Sequence, residues 1–433
     1  MNRARNVTIC FALLVVLIAM APVIAIAPVW LAPQLVMIAV ALMLLLLPSL
    51  PEADFLHSLT IFRPLAVAAA LPAAWIILQI VPVPLGSIEH PVWRSAAAAL
   101  PEITWGHVSI DLGSTLRGLF SYLSLISLAF STCVVTRNRD RAETTLFALC
   151  TITTFIAVEL LLFRQFPLHS GNSQDAPDSL VALAAFGAIL DLAFVVRTTE
   201  RHDARARSSR TYVGMLLLGA FGAALCLTAL FLSTTYNVVI ATGFGMAVLC
   251  LVALIRRLSL GRWTAATVST ALVVAWGGIV VLRSAANPAV SPILRFAKND
   301  SPDGGAATLR MLSDSNWSGS GIGTYQALAA IYGEAARSAG ESAIHTIALM
   351  ALEWGQFGLL ICFFLLAQLL VILERGALRR GRDFFFAAGA AASLVTAFFE
   401  AYCDNSFTDI TVQMLASIVV GLGLAQTTGR HAA

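Results

Sequence analysis

The chain has 433 residues, of which 58% are apolar and 12% charged, and its formal net charge is +3. Soluble globular proteins carry about 25% charged residues, so this composition excludes an ordinary soluble enzyme. Acids and bases also balance over the long polar stretch 283–345, which argues against a tail for nucleic acid or anionic lipid.

Charge-free runs such as Val7 to Leu47 and Thr264 to Leu282 reach the length that crosses a bilayer, about 20 residues. Helices satisfy their own backbone groups in lipid. The chain therefore reads as one all-α polytopic transmembrane bundle. Seven cysteines, Cys10, Cys133, Cys150, Cys226, Cys250, Cys362 and Cys403, lie mostly in apolar runs and form no CxxC pair. They read as small apolar fillers, with neither a disulfide frame nor a metal site.

In chain order, MNRAR precedes a long apolar run with no clear small-residue cleavage site, which reads as an uncleaved first span. About 12 spans are expected, at 7–29, 31–48, 64–82, 116–135, 144–163, 179–196, 212–233, 238–255, 264–282, 346–373, 384–401 and 410–427. Pro28, Trp30 and Pro33 mark a tight turn between the first two. One broken helix there, giving eleven spans, is the alternative. With 12 spans, 19 arginines fall on one side, against 7 arginines and the only lysine, Lys298, on the other. The positive-inside bias makes the arginine-rich side cytoplasmic, with both termini inside. An eleven-span count scatters the clusters over both faces and is rejected.

Two sizeable outside segments follow from this layout, about 83–115 and the large periplasmic loop 283–345. The chain then divides into 1–282, the first nine spans; 283–345, a loop holding short helices; and 346–433, the last three spans. Within the loop, Ser301-Pro302-Asp303-Gly304-Gly305 reads as a turn. Asn316 to Ser320 reads as a loop, and the Ala-rich Gln326 to Ala336 as a helix.

The residues with chemistry gather where that loop meets the tenth span. His345 stands at the outer mouth of the span, and imidazole titrates near neutral pH. It can act as a base over a cavity, with Glu341 orienting it, or simply bond a loop carbonyl. Glu353 lies two turns deeper, roughly 12 Å along a helix, where an acid must face the interior or a wet cavity. Glu159, Asp191 and Glu400 pose the same question. Arg164, Arg283, Arg295 and Arg310 stand at or beyond span ends on the outer side. Guanidinium grips phosphate oxygens with two parallel bonds, although span-end arginines also snorkel to headgroups. Gly319, Gly321 and Gly323 at every second position read as a sharp turn that brings backbone close to a ligand or another helix. No Walker motif is present, which argues against ATP-driven transport.

Arg310, the run Ser318-Gly319-Ser320-Gly321-Ile322-Gly323-Thr324-Tyr325, then Ala343-Ile344-His345-Thr346 leading to Glu353-Trp354-Gly355-Gln356-Phe357-Gly358, resemble the signature of the O-antigen ligase and polysaccharide polymerase family. His107 to Leu125 resembles that family's segment before its middle spans, and Phe398 to Ala425 its final helix pair. The resemblance covers most of the chain from about residue 105. It departs at Ser233-Thr234-Thr235-Tyr236-Asn237, where the family carries an arginine, and at Thr346, where it carries asparagine. Ser170-Gly171-Asn172-Ser173 only echoes the family's asparagine-rich turn.

The resemblance implies a glycosyltransferase of the bacterial inner membrane. It would pass a glycan from undecaprenyl diphosphate to a sugar hydroxyl at the periplasmic face, with no cofactor and no metal. Arg310 and the outer arginines Arg164, Arg283 and Arg295 would hold the diphosphate, and His345 would position or deprotonate the acceptor. Gly321, Gly323, Tyr325 and Glu353 would shape the substrate site. Partners would be the lipid-linked glycan, a lipid or glycan acceptor, the bilayer and polysaccharide assembly proteins, with no nucleic acid. A non-catalytic assembly subunit and a lipid-linked glycan transporter are the competing readings.

Overall fold

The structure is a computed structural model describing residues 2–28, 30–85, 88–100, 105–165, 178–204, 209–233, 236–257, 310–313, 315, 317–332, 344–380 and 383–427. Among these, regular structure is helical apart from one antiparallel ladder pairing Val83 with Gly106 and Pro84 with Trp105. Eight helical stretches of the described residues are long and apolar enough to span a membrane. They are Ala32–Ser49, Glu52–Ile80, Leu112–Val135, Arg139–Leu162, Asp178–Glu200, Tyr212–Leu232, Asn237–Arg257 and Gly355–Arg379. Three shorter apolar helices, Arg5–Ala19, Phe384–Glu400 and Ile410–Ala425, occupy further expected spans. The chain is an all-α, multi-pass membrane protein. The expected span at 264–282 lies outside the described residues.

Helix α1 (Asn2–Ala19) runs into the short α2 (Ala21–Ile26), and α3 (Ala32–Leu46) packs back beside α1. The turn between them closes on Pro28, whose carbonyl accepts from Leu31 and Ala32. Three helices, one of them only six residues long, therefore fill this region. The third expected span starts earlier than its hydropathy indicates. Helix α4 (Glu52–Phe62) continues through a 3-10 turn at Arg63–Leu65 into α5 (Ala66–Ile80). Pro64 removes a backbone donor there, which bends the rod without ending it. A short helix α6 (Pro91–Ala99) lies between the two strands of the ladder, which precedes α7 (Leu112–Val135).

The bundle is organised around α9 (Asp178–Ala204), whose residues 180–191 are all buried. It packs against α8 (Arg139–Gln165), α10 (Ser209–Leu232), α11 (Tyr236–Arg257) and α15 (Phe384–Glu400). Alanine dominates the facing surfaces, for instance Ala184, Ala185 and Ala188 on α9 and Ala387, Ala388, Ala391 and Ala392 on α15. Small side chains let helix backbones approach closely in lipid, where dispersion contacts replace the hydrophobic drive. Large apolar residues such as Leu45, Val67, Leu217 and Phe221 point outward instead, toward the bilayer.

The expected tenth span, 346–373, is corrected here. It is two helices, the buried α13 (Thr346–Glu353) and the long α14 (Gly355–Arg379), broken at a left-handed Gly355 with φ of 70°. The seven-residue α12 (Tyr325–Ile331) covers part of the helix expected over Gln326 to Ala336; residues 333–336 lie outside the described set. The last helix is α16 (Ile410–Ala425).

Among the described residues, Arg139, Arg197, Arg256 and Arg380 tie several helix ends together. Arg139 pairs with Asp383 at 2.8 Å and Glu143 at 3.0 Å, and Arg197 reaches the same glutamate at 2.6 Å. Arg256 donates to the carbonyls of Ala377 and Arg380. Arg380 in turn reaches Gln426, whose amide donates to the Thr136 carbonyl at 2.7 Å. This side-chain mesh ties α7, α14 and the end of α16 together. Replacing the buried Gln426 with alanine leaves the Thr136 carbonyl without that donor, so we expect a loss of about 1–3 kcal/mol. Thermal unfolding in detergent measures it as a lowered Tm.

Candidate functional site

The helix break at Trp354–Gly355 makes a demand that the opposite end of the bundle meets. Ending a helix orphans its last carbonyls, and lipid supplies no water to satisfy them. Ser320 N–H donates to the Leu352 carbonyl at 3.0 Å, and Gly321 N–H to the Glu353 carbonyl at 3.0 Å. Gln79 of α5 reaches the Glu353 carbonyl too, at 3.0 Å, and Trp75 donates to the Trp354 carbonyl at 2.8 Å. The glycine turn and α5 thus complete the broken helix.

Such closeness requires glycine on both strands of the crossing. A Cβ on Gly319, at φ of 76°, would run into the Glu353 carbonyl and stand 2.5 Å from Gly355 N. A Cβ on Gly355 would run into the Trp317 carbonyl and stand 2.5 Å from Gly319 N. The turn that sequence reading placed near a ligand or another helix therefore sits against a helix break.

A third segment, distant in sequence, closes the node. Ile110 N–H donates to the Ser320 carbonyl at 2.9 Å. The buried hydroxyls of Ser109 and Thr115 bond each other at 2.7 Å and would crowd any side chain on Gly321. Thr115 also donates to the Ile322 carbonyl at 3.3 Å. Asp111 caps α7, its Oδ1 accepting from Gly113 and Ser114 N–H at 2.9 and 3.2 Å and its Oδ2 from the Ser114 hydroxyl at 2.7 Å. That hydroxyl first, then the backbone donors and Arg117, hold the Asp111 carboxyl below its ordinary range.

His345 is buried and caps α13: Ala348 N–H donates to its Nδ1 at 3.2 Å. An accepting Nδ1 places the hydrogen of the neutral ring on Nε2, so the imidazole presents a donor there. The first turn of α13 rests on the chain after α15. Thr346 N–H and hydroxyl donate to the Asp404 carbonyl at 2.8 and 3.0 Å, and Ile347 N–H to the Ala401 carbonyl at 2.9 Å. Beside this docking lie two buried acids. Glu400 is fully buried, and neither carboxyl oxygen meets a hydrogen-bond partner among the described residues. Asp404 lies within electrostatic range of it. Sequence reading noted Glu400 as a buried acid without connecting it, or Asp404, to His345. An acid ending the apolar run Phe384–Glu400 was the available signal.

The expected site residues separate into groups. Glu353, Gly321, Gly323 and Tyr325 share the node, whereas His345 stands at the opposite end of α13. Glu353 accepts from Tyr325 N–H at 3.0 Å through its Oε1, so its carboxylate caps α12. Tyr325 is buried with Met311, Leu328, Ile344 and Leu352 in a small second core. Gly321 and Gly323, at φ of 101° and 74°, lie against Ser109, Thr115 and Ser114. Arg310 stands exposed at the edge of this core, next to the buried Met311. Arg164 belongs to α8, but its side chain is not among those described; Arg283 and Arg295, with Glu341, lie outside the described residues. No cluster of three or more metal-ligating His, Cys, Asp or Glu side chains occurs among the described residues.

No protein-family model matches the chain, and no curated protein matches it. The geometry therefore carries the functional argument.

Two outcomes test this site. Gly355→Ala adds the left-handed cost of about 1–2 kcal/mol to a backbone collision, so the variant should lose monodisperse protein or melt far lower. Gly214→Ala, where a Cβ meets nothing within 4 Å, should be neutral or slightly stabilising. For Asp111→Ala, losing the cap should cost about 1 kcal/mol at neutral pH. A lowered folded-state pKa gives stability that is fully present above the unfolded value, starts to fade below it and is lost as pH falls through the folded value. The gap in Tm between wild type and this variant should therefore narrow as the pH drops below about 4.

Proposed function

We propose that the protein transfers a glycan from a lipid diphosphate of the undecaprenyl type to a sugar hydroxyl at the periplasmic face of the bacterial inner membrane. The observation carrying this reading is the convergence at one bundle end of the segments around Ser109–Thr115, Gly319–Tyr325 and His345–Gly355. These segments also carry the resemblance to O-antigen ligases and polysaccharide polymerases. In this reading the arginine-rich end is cytoplasmic and both termini lie on that side.

The chemistry follows from the groups present. The acceptor oxygen bonds to the anomeric carbon as the bond from that carbon to the diphosphate oxygen breaks. Negative charge grows on the departing diphosphate, and Arg310, exposed at the rim, is suited to hold it with two parallel hydrogen bonds. His345, with Nδ1 engaged as a cap, offers Nε2–H to an acceptor or phosphate oxygen, so positioning suits it better than proton abstraction. The proton of the acceptor hydroxyl then goes to a carboxylate, and Asp404, whose Oδ1 accepts from Ser406 N–H and hydroxyl at 3.0 and 2.6 Å, is the acid beside α13 suited to be ionised.

His345→Asn separates cap from chemistry, because asparagine also caps a helix. We expect Arg310→Ala and His345→Asn each to lower polysaccharide assembly in the producing cell by at least about 10²-fold, with normal amounts of protein in the membrane. Full-length polymer from both variants would end the proposal. A second reading, a non-catalytic assembly subunit, is favoured by the missing arginine in Ser233 to Asn237. It would be supported by polymer from both variants together with co-purification of a separate polymerase.

A further inference from the structure

A second polar centre lies away from the glycine crossing, inside the bundle. Asp191 is buried thirteen residues into α9, about 20 Å along the helix axis. Thr154 of α8 donates its hydroxyl to Oδ2 at 3.1 Å. The remaining neighbours are thiols, with Cys226 Sγ 3.8 Å from the same oxygen and Cys150 beside the carboxyl. No N–H or O–H donor reaches Oδ1 among the described residues. The nearest arginine on this helix, Arg197, pairs with Glu143 at 2.6 Å.

The carboxyl lines a cavity of about 260 Å³ between α8, α9 and α10. Phe147, Phe194, Leu218 and Phe221 form much of its wall, and Gly222 leaves room where a Cβ would stand 2.6 Å from Oδ2. Phe147, Leu218 and Phe221 are 44%, 49% and 63% exposed on the outer face of the bundle. That face lies toward lipid, so the cavity opens to the bilayer. Its volume holds about eight or nine water-sized groups, a short length of chain.

An acid at this depth is costly unless a polar group meets it. An ammonium partner would bring its own desolvation penalty, whereas a hydroxyl enters as a neutral donor. We propose that this cavity binds the hydroxyl end of an apolar, chain-like molecule arriving from the bilayer, its O–H donated to Asp191 Oδ1 and its chain among Phe147, Phe194 and Phe221. The site is separate from the glycan-transfer node and stands independently of that proposal.

Photolabelling of the full-length protein in lipid nanodiscs with a diazirine-bearing decanol tests it, adducts being located by mass spectrometry. Adducts should concentrate on α8 and α10 around Phe147, Leu218 and Phe221. Excess unlabelled decanol should reduce them several-fold, and decane at the same concentration should not. Asp191→Leu should erase the difference between the two competitors. Leu218→Trp, a change on the half-exposed rim, should close the mouth and cut labelling several-fold, which keeps the test available if Asp191→Leu does not fold. Adducts spread evenly over the lipid-facing helices, or equal competition by decane and decanol in the wild type, would overturn the proposal.

Discussion

The site end of the protein depends on one backbone crossing. Gly319 and Gly355 lie against each other so closely that a methyl group on either would meet the other's main chain. The crossing exists because a helix ends among buried residues, where its free carbonyls meet no solvent. Donors from the loop and from α5 replace the missing helical partners. Without the crossing, the Leu352, Glu353 and Trp354 carbonyls would lose these donors, and α13 would have no reason to stop short of joining α14.

The break also sets what can act there. Because α13 is short and buried, its N-terminus sits within the protein, with His345 as the capping residue. Its first N–H groups go to carbonyls of the chain after α15, which brings Glu400 and Asp404 into the same neighbourhood. A continuous span would have left His345 at a helix mouth, remote from these acids. The same break turns Glu353 from an acid in a cavity into a cap for α12. The carboxylate that the resemblance placed in the substrate site therefore serves the scaffold, while the Asp404 carbonyl receives the first turn of α13.

The two ends of the bundle are built differently. At the arginine-rich end, long side chains reach across helices to carboxylates and carbonyls, and the joins are made by side chains. At the other end the joins are mainly backbone N–H to backbone carbonyl, through glycine, with serine and threonine hydroxyls filling the gaps. Backbone joins place atoms more rigidly than flexible arginines do, which suits the end proposed to hold a reacting pair. The middle of the bundle is an alanine-rich contact of α9 with α15, while Asp191 of the same helix faces α8 and α10.

Much was legible in the chain itself. Charge-free runs of about twenty residues must be helices in lipid, so the all-α, multi-pass architecture follows from composition. Gly319, Gly321 and Gly323 at every second position read as a sharp turn, and each adopts a positive φ in the structure. What the chain did not display was the break at Trp354–Gly355, because the polar interruption Glu353-Trp354-Gly355-Gln356 is brief, the apolar run resumes at Phe357, and glycine inside an apolar helix is common. Nor could it show that Ser109 and Thr115 lie under Gly321, over two hundred residues away, since hydroxyl pairs leave no periodic signal. Local pattern determines which segments are helices, because lipid forces each to satisfy itself. Only the tertiary structure decides where a helix is allowed to stop, because the groups that replace its lost hydrogen bonds come from elsewhere in the chain.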